Sequence, residues 1–261
     1  VVVREPRNLR RRRRATKELG SPGTGKFWLG LAAAVFYPLT LLLSRTRAVG
    51  LERIPAEGPV LLVLNHVSHL DPVYDAVAVH RAARVPRFLA KSTLWNTPVL
   101  GKVLVGVQQI PVYRGTSDAQ KSLSDAHRAL NGNMVVLIYP DGTITKDPEG
   151  WPMHPRVGVA RLALDHPDVP VIPVARWGTR EIYDHYKKKF RPFPRKTVTI
   201  KIGEPLDLSG YRDAEVDNRV LREVTDLAMR RVRELLGEIR GERPPEEFYS
   251  QARGRGDDAA R

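Results

Sequence analysis

The chain has 261 residues, 42% of them hydrophobic, which is enough to bury a core and excludes global disorder. Its 43 Lys and Arg against 29 Asp and Glu give a formal charge of +14, so an anionic partner is expected, either nucleic acid or the acidic face of a membrane. The absence of cysteine excludes structural disulfides, cysteine-ligated zinc and a cysteine nucleophile, and fits a reducing compartment.

Residues 1–26 read as a basic disordered tail and linker. Arg4, Arg7, the run Arg10 to Arg14, and Lys17 form either a solvated tail or a polybasic anchor for anionic lipid, where each cation adds roughly 1 kcal/mol. Gly20-Ser-Pro-Gly-Thr-Gly-Lys26 has the spacing of a phosphate-binding loop. However, Phe27 stands where a magnesium-binding Ser or Thr is required and no strand precedes it, so the segment reads as a flexible linker.

Residues 27–47 read as a membrane-associated helical segment. Phe27 to Ser44 carries no charge, and its length lies at the lower edge of the roughly 17 to 25 residues that span a bilayer. Lys26, Arg45 and Arg47 flank it, and Trp28 and Tyr37 suit an interface. Pro38 would kink it into a re-entrant hairpin. A buried core helix is the competing reading, and no A-x-A-like cleavage site follows.

From residue 48 to 240 short apolar runs alternate with helical patterns, which predicts a layered α/β domain with a mixed sheet and flanking helices. Strands are expected at Val60 to Leu64, Arg87 to Ala90, Ile110 to Tyr113, Met134 to Tyr139, Val171 to Ala175 and, as an alternating edge strand, Thr197 to Ile202. Helices are expected over Pro72 to Ala83, Ser117 to Gly132, Arg156 to Asp165 and Glu215 to Ile239. Residues 241–261, rich in Pro, Gly and charge, read as a disordered tail.

The most informative segment is Asn65-His66-Val-Ser-His69-Leu-Asp71-Pro72, directly after the first buried strand, where α/β folds place reacting groups. Five residues rotate by about 500° on a helix, so His66 and Asp71 cannot share a helical face. With His66 in the loop and Asp71 in the first turn they can meet. Asp71 would then fix one ring nitrogen, leaving the other to take a proton from an alcohol. Ser68-x-x-Asp71 is equally a capping box, which explains Ser68 and Asp71 but not His66. His69 receives no role.

This segment resembles the N-H-x-x-x-x-D block of the glycerolipid acyltransferase family, and the other blocks appear in order. Gly106-VQQIPVY-Arg114, VVLIY-Pro140-Asp141-Gly142-Thr143 and Val169-Pro-Val-Ile-Pro-Val174 resemble the second, third and fourth blocks, so the match covers roughly residues 50–205. The resemblance implies transfer of a fatty acyl chain from acyl-CoA or acyl carrier protein to the free hydroxyl of lysophosphatidic acid. His66 would be the base and Asp71 would orient it. Lys91, Arg114, Asp141, Gly142 and Thr143 would shape the site for the acceptor's glycerol phosphate. Two positions depart from the family pattern. Asp141 replaces the usual glutamate, and Ile144 stands where an arginine often supplies a phosphate cation, with Lys146 or Arg156 as possible substitutes. These changes leave another lyso-lipid, or glycerol 3-phosphate, open as the acceptor.

No metal or redox cofactor is implied, and the expected setting is the cytoplasmic face of the cell membrane. From a different class, the charge also suits a basic nucleic-acid-binding protein, against which no reading motif is found. A non-catalytic membrane-binding relative is opposed by the intact His66 and Asp71.

Overall fold

The computed structural model of the protein describes residues 24–112, 119–212 and 214–250. The basic tail, Arg114 and residues 251–261 therefore lie outside the described residues.

The first element is a helix, α1 (Thr24–Leu43). It begins inside the segment read as a linker and runs through Pro38 as one helix, so the expected hairpin does not form. Pro38 sits on the exposed flank of the helix. The opposite flank packs on the domain. Tyr37 Oη meets His80 Nδ1 at 2.9 Å, and Trp28 lies so close to Gly106 that a Cβ there would come within 2.2 Å of the indole. Phe27, Leu31, Val35, Leu41 and Leu42 remain exposed. Among the described residues no helix is long and apolar enough to cross a membrane.

The domain's sheet opens with β1 (Ser44–Val49), inside the segment read as membrane-associated and before the expected domain boundary. The other elements follow in chain order as β2 (Val60–Leu64), α2 (Asp71–Arg81), β3 (Pro86–Lys91), α3 (Pro98–Gly106), β4 (Ile110–Val112), α4 (Ala119–Asn131), β5 (Val135–Ile138), α5 (Gly158–Asp165), β6 (Val171–Trp177), the single turn α6 (Thr179–Ile182), β7 (Tyr183–Asp184), β8 (Lys189–Phe190), β9 (Lys196–Ile202) and α7 (Asn218–Arg240). Seven strands form one sheet in the order β1-β9-β6-β2-β5-β3-β4, and β7 pairs with β8 in a separate hairpin. β6, β2, β5, β3 and β4 run parallel, whereas β9 is antiparallel to β6 and parallel to β1. The chain is thus a mixed α/β domain with a mostly parallel sheet.

The expectation of an edge strand at Thr197 to Ile202 is corrected, because β1 pairs along its outer side from Ser44↔Lys196 to Val49↔Lys201. The strand β1, Ser-Arg-Thr-Arg-Ala-Val, has too little apolar content to stand out in sequence.

At the centre, β2 is apolar throughout because both its faces are covered. Val60, Leu62 and Leu64 face a core that includes Tyr74, Ala78 and Val198, while Leu61 and Val63 face one built from Leu130, Leu162, Val224 and Val232. Helix α7 supplies much of the second layer. Its start is capped by Asp217, whose carboxylate accepts from Val220 N at 2.7 Å, and it ends at Gly241 with φ of 67°.

Residues 241–250, read as part of a disordered tail, pack on the domain. The Arg233 guanidinium sits 4.5 Å from the Phe248 ring centroid, and His154 N donates to Tyr249 O at 3.1 Å. The anchoring aromatics are spaced too sparsely among prolines and charges to register as an element. Phe248→Ala should lower stability by roughly 1–2 kcal/mol, from lost ring burial and cation–π contact. Chemical denaturation checks this, and an unchanged midpoint would mean that the segment contributes nothing.

Candidate active site

Since β2, β5, β3 and β6 are parallel, the loops after Leu64, Ile138, Lys91 and Trp177 open on one edge of the sheet, the usual place for reacting groups in such folds. The loop after β2 turns His66 back onto the start of α2. His66 Nδ1 lies 2.8 Å from Asp71 Oδ2, although the two residues are five apart and not on one helical face. The same oxygen accepts from the backbone N–H of Val67 at 2.7 Å and of Ser68 at 2.9 Å. Asp71 therefore makes the reciprocal half of the capping box and also holds the imidazole. Ser68 departs from the box, its hydroxyl donating to Tyr183 O at 2.8 Å.

The other Asp71 oxygen faces the core. Thr179 Oγ1 donates to it at 2.5 Å and Arg176 Nε lies 3.2 Å away. Burial alone would push the Asp71 carboxyl up, but Arg176, His66 and Thr179 outweigh it and hold the group below its ordinary value. Asp71 is thus an ionised acceptor, so in the neutral ring the proton lies on Nδ1 and the lone pair on Nε2. Among the described residues the His66 ring has no second hydrogen-bond partner, and its side chain keeps 15% exposure while that of Asp71 has none.

Sequence reasoning missed the network beneath this pair. Arg176 is wholly buried, and its NH1 donates to Asp75 Oδ2 at 2.6 Å while NH2 donates to Asn65 O. Tyr139 Oη donates to the same Asp75 oxygen at 2.6 Å, and its ring stacks on His66 with centroids 4.5 Å apart. Burial pushes Asp75 up to about 6 and Tyr139 well above its usual range, with Arg176 opposing both. Asn65 closes the network. Its amide nitrogen donates to Arg176 O and its amide oxygen accepts from Arg176 N, both at 2.9 Å, which prolongs the β2–β6 pairing by one residue. Two sequence signals were available. Asp71 and Asp75 are like charges at i,i+4, an unfavourable spacing without a cation between them, and Arg176 is a lone charge at the end of an apolar strand.

The turn after β5 braces the His66 loop from the other side. Thr145 N donates to His66 O at 2.8 Å. Asp141 is buried, its Oδ1 accepting from Met153 N at 3.0 Å. Burial pushes this carboxyl up to about 8, against the pull of the Met153 and His66 backbone N–H groups. Gly142 takes φ of +70°, and a Cβ there would come within 2.9 Å of Arg156 Nε, so Arg156 lies over this turn. Thr143 is exposed, whereas Ile144 is buried. Lys91 is exposed at the same sheet edge, with β5 between its strand and β2. Arg114 lies outside the described residues. No group of three or more potential metal ligands occurs among the described residues.

A histidine steadied by a buried carboxylate, at the carboxyl edge of a mostly parallel sheet, defines a site able to take a proton from a hydroxyl or amine. The model of the family described as Acyltransferase matches residues 45–177, and the chain belongs to that family. An uncharacterized protein of Mycobacterium tuberculosis is 29% identical over 149 residues, which are 53% of this chain and 39% of that protein. The chain therefore corresponds to well under half the length of this relative. The N-acylphosphatidylethanolamine synthase of Arabidopsis thaliana is 24% identical over 165 residues, covering 59% of this chain and 57% of its own. The fold is similar to that of the 1-acyl-sn-glycerophosphate acyltransferase PlsC of Thermotoga maritima, with a TM-score of 0.57 and 23% identity over 81% of this chain and 80% of that one.

Arg176→Met would leave Asp71 and Asp75 buried without their cation, at a cost of about 3–5 kcal/mol. Thermal unfolding checks this, and a stability within about 1 kcal/mol of the parent would remove Arg176 as the support of Asp71. The raised Asp141 has a definite sign. Because its folded value lies above its unfolded one, the stability it contributes is full below about pH 4 and is lost as pH rises toward about 8. In urea unfolding from pH 4 to 8, Asp141→Asn should remove that part of the decline, and equal slopes in the two proteins would contradict the assignment.

Proposed function

We propose that the protein transfers a fatty acyl chain from a thioester, acyl-CoA or acyl carrier protein, to the free hydroxyl of lysophosphatidic acid, giving phosphatidic acid. The observation that carries this reading is the 2.8 Å contact between His66 Nδ1 and Asp71 Oδ2, which leaves Nε2 unoccupied in a member of the acyltransferase family. A hydroxyl is a weak nucleophile. In this reading Nε2 accepts its proton as the oxygen attacks the thioester carbonyl, a contribution of roughly 10²–10⁴-fold, and the imidazolium that forms is stabilised by ionised Asp71. The thiol then leaves, taking the proton back from His66.

For the phosphate, Lys91 and Arg114 keep the roles the resemblance gives them. Arg156, whose side chain lies over Gly142, is the better substitute for the cation missing at Ile144. The turn containing Asp141 also supports the reading by bracing the His66 loop.

A second acceptor class has its own support. One relative is named for a product acylated on the nitrogen of phosphatidylethanolamine, and Nε2 would accept the proton that the nitrogen sheds as it attacks the thioester carbonyl and pass it to the departing thiolate. The deciding experiment incubates the protein with radiolabelled acyl-CoA and a panel of lysophosphatidic acid, glycerol 3-phosphate, other lyso-lipids and phosphatidylethanolamine. Labelled phosphatidic acid is the expected product, and labelled N-acylphosphatidylethanolamine alone would replace the proposal.

His66→Ala should abolish transfer with the fold intact by circular dichroism, and Asp71→Ala should reduce kcat at least about a hundredfold. Arg114→Ala should chiefly raise the acceptor KM, and an unchanged KM would remove Arg114 from the site.

A further inference from the structure

The hairpin between β7 and β8, with the segment that follows it, is the most cationic part of the described surface that the site does not use. Residues 185–196 read His-Tyr-Lys-Lys-Lys-Phe-Arg-Pro-Phe-Pro-Arg-Lys, six cations without one acid. Every residue from 186 to 191 is exposed, and among the cations stand three exposed aromatics, Tyr186, Phe190 at 58% and Phe193 at 64%. Solubility accounts for the lysines alone. Exposed phenylalanines interleaved with them serve no solvated face, but they match a lipid interface, where aromatic rings sit at headgroup depth beside basic residues.

The segment is held in place. Asp184 Oδ1 accepts from the backbone N–H of Tyr186 and of Lys187, both at 3.1 Å, and Tyr183 pairs with Phe190 across the hairpin. It is also tied to both loops that position His66. Tyr183 O accepts from Ser68, His185 Nδ1 meets His69 Nε2 at 2.9 Å, and Tyr186 Oη donates to Ile144 O at 2.8 Å. At its far end, Arg195 NH2 donates to Ser44 O at 2.6 Å, immediately after α1. There Leu41 and Leu42 are 62% and 59% exposed, so the basic, aromatic surface continues into the apolar flank of the helix. Since β1 starts opposite Lys196, and β9 runs antiparallel to β6, this junction lies at the same sheet edge as His66.

We propose that residues 185–196 dock on the anionic headgroups of a bilayer and, together with the end of α1, set the His66 edge of the domain against the leaflet. The proposal rests on the reading above in that the acceptor would be drawn from that leaflet. It is tested first without catalysis, so that the two can fail separately. The full chain is sedimented with sucrose-loaded phosphatidylcholine vesicles, with and without phosphatidylglycerol. Replacing Lys187, Lys188, Lys189 and Arg191 together by Gln should weaken partitioning to the anionic vesicles on the order of a hundredfold, and raised salt should shrink the difference. Phe190→Ser with Phe193→Ser should weaken it about tenfold at either salt concentration. Transfer to a monomeric, short-chain lysophosphatidic acid should keep the parental kcat in both variants. Parental vesicle partitioning by the fourfold variant would overturn the proposal. So would an equal loss of rate on monomeric substrate, which would place these residues in support of the site. Unchanged partitioning with a raised KM for an acyl carrier protein thioester alone would also overturn it, by assigning the surface to an acidic protein.

Discussion

The carboxylate of Asp71 is the constraint on which the site depends. It takes three donors on one oxygen, the His66 ring and the backbone of Val67 and Ser68, and on the other it meets Thr179 and Arg176. A buried carboxylate is costly unless its acceptor sites are filled by donors and its charge is opposed. Here both conditions are met by groups from three segments of chain, namely the loop after β2, the end of β6 and the turn that follows it. The same bonds that keep Asp71 ionised start helix α2 and fix the histidine tautomer. Helix initiation and the orientation of the His66 ring therefore follow from one interaction and are not rival explanations of it.

Arg176 extends that constraint inward. Its guanidinium reaches two carboxylates four residues apart on α2, and its backbone is clasped by the Asn65 amide. Buried ion networks of this kind add little net stability over a well-packed apolar core, yet breaking one is expensive because a lone charge remains. Such a network is better understood as a device for position. With Tyr139 bonded to Asp75 and stacked on His66, the imidazole is held at its edge by Asp71 and on its face by a ring that is itself tethered. That rigidity suits the base that His66 is proposed to be, since small misplacements lower a catalytic rate steeply.

Much of this was legible in sequence because it is local. The apolar run at Val60 to Leu64, the loop Asn65 to Leu70 and the start of α2 lie within a dozen residues, so the meeting of His66 and Asp71 follows from short-range geometry. The parts that escaped are those made by long-range contact. Arg176 ends an apolar strand and reads as the point where burial stops, although its cation is neutralised by residues about a hundred positions earlier. β1 was hidden because Ser-Arg-Thr-Arg-Ala-Val becomes a strand only when β9 lies beside it. Asp141 entered the site through the resemblance alone, and its burial against the Met153 backbone depends on a residue twelve positions later. The segment ending in Tyr249 looked disordered for want of apolar residues, yet a single bridge to Met153 and the Arg233–Phe248 contact hold it to the domain.

The central claim, that ionised Asp71 confines the ring proton of His66 to Nδ1 and leaves Nε2 as a free base, can be read directly by nitrogen NMR of histidine-labelled protein near neutral pH. The account predicts a His66 ring with a protonated, hydrogen-bonded Nδ1 and an Nε2 carrying the shift of an unprotonated imidazole nitrogen, a pattern that Asp71→Asn disperses. A proton resting on Nε2 in the parent protein, or a tautomer unaltered by that substitution, would contradict it.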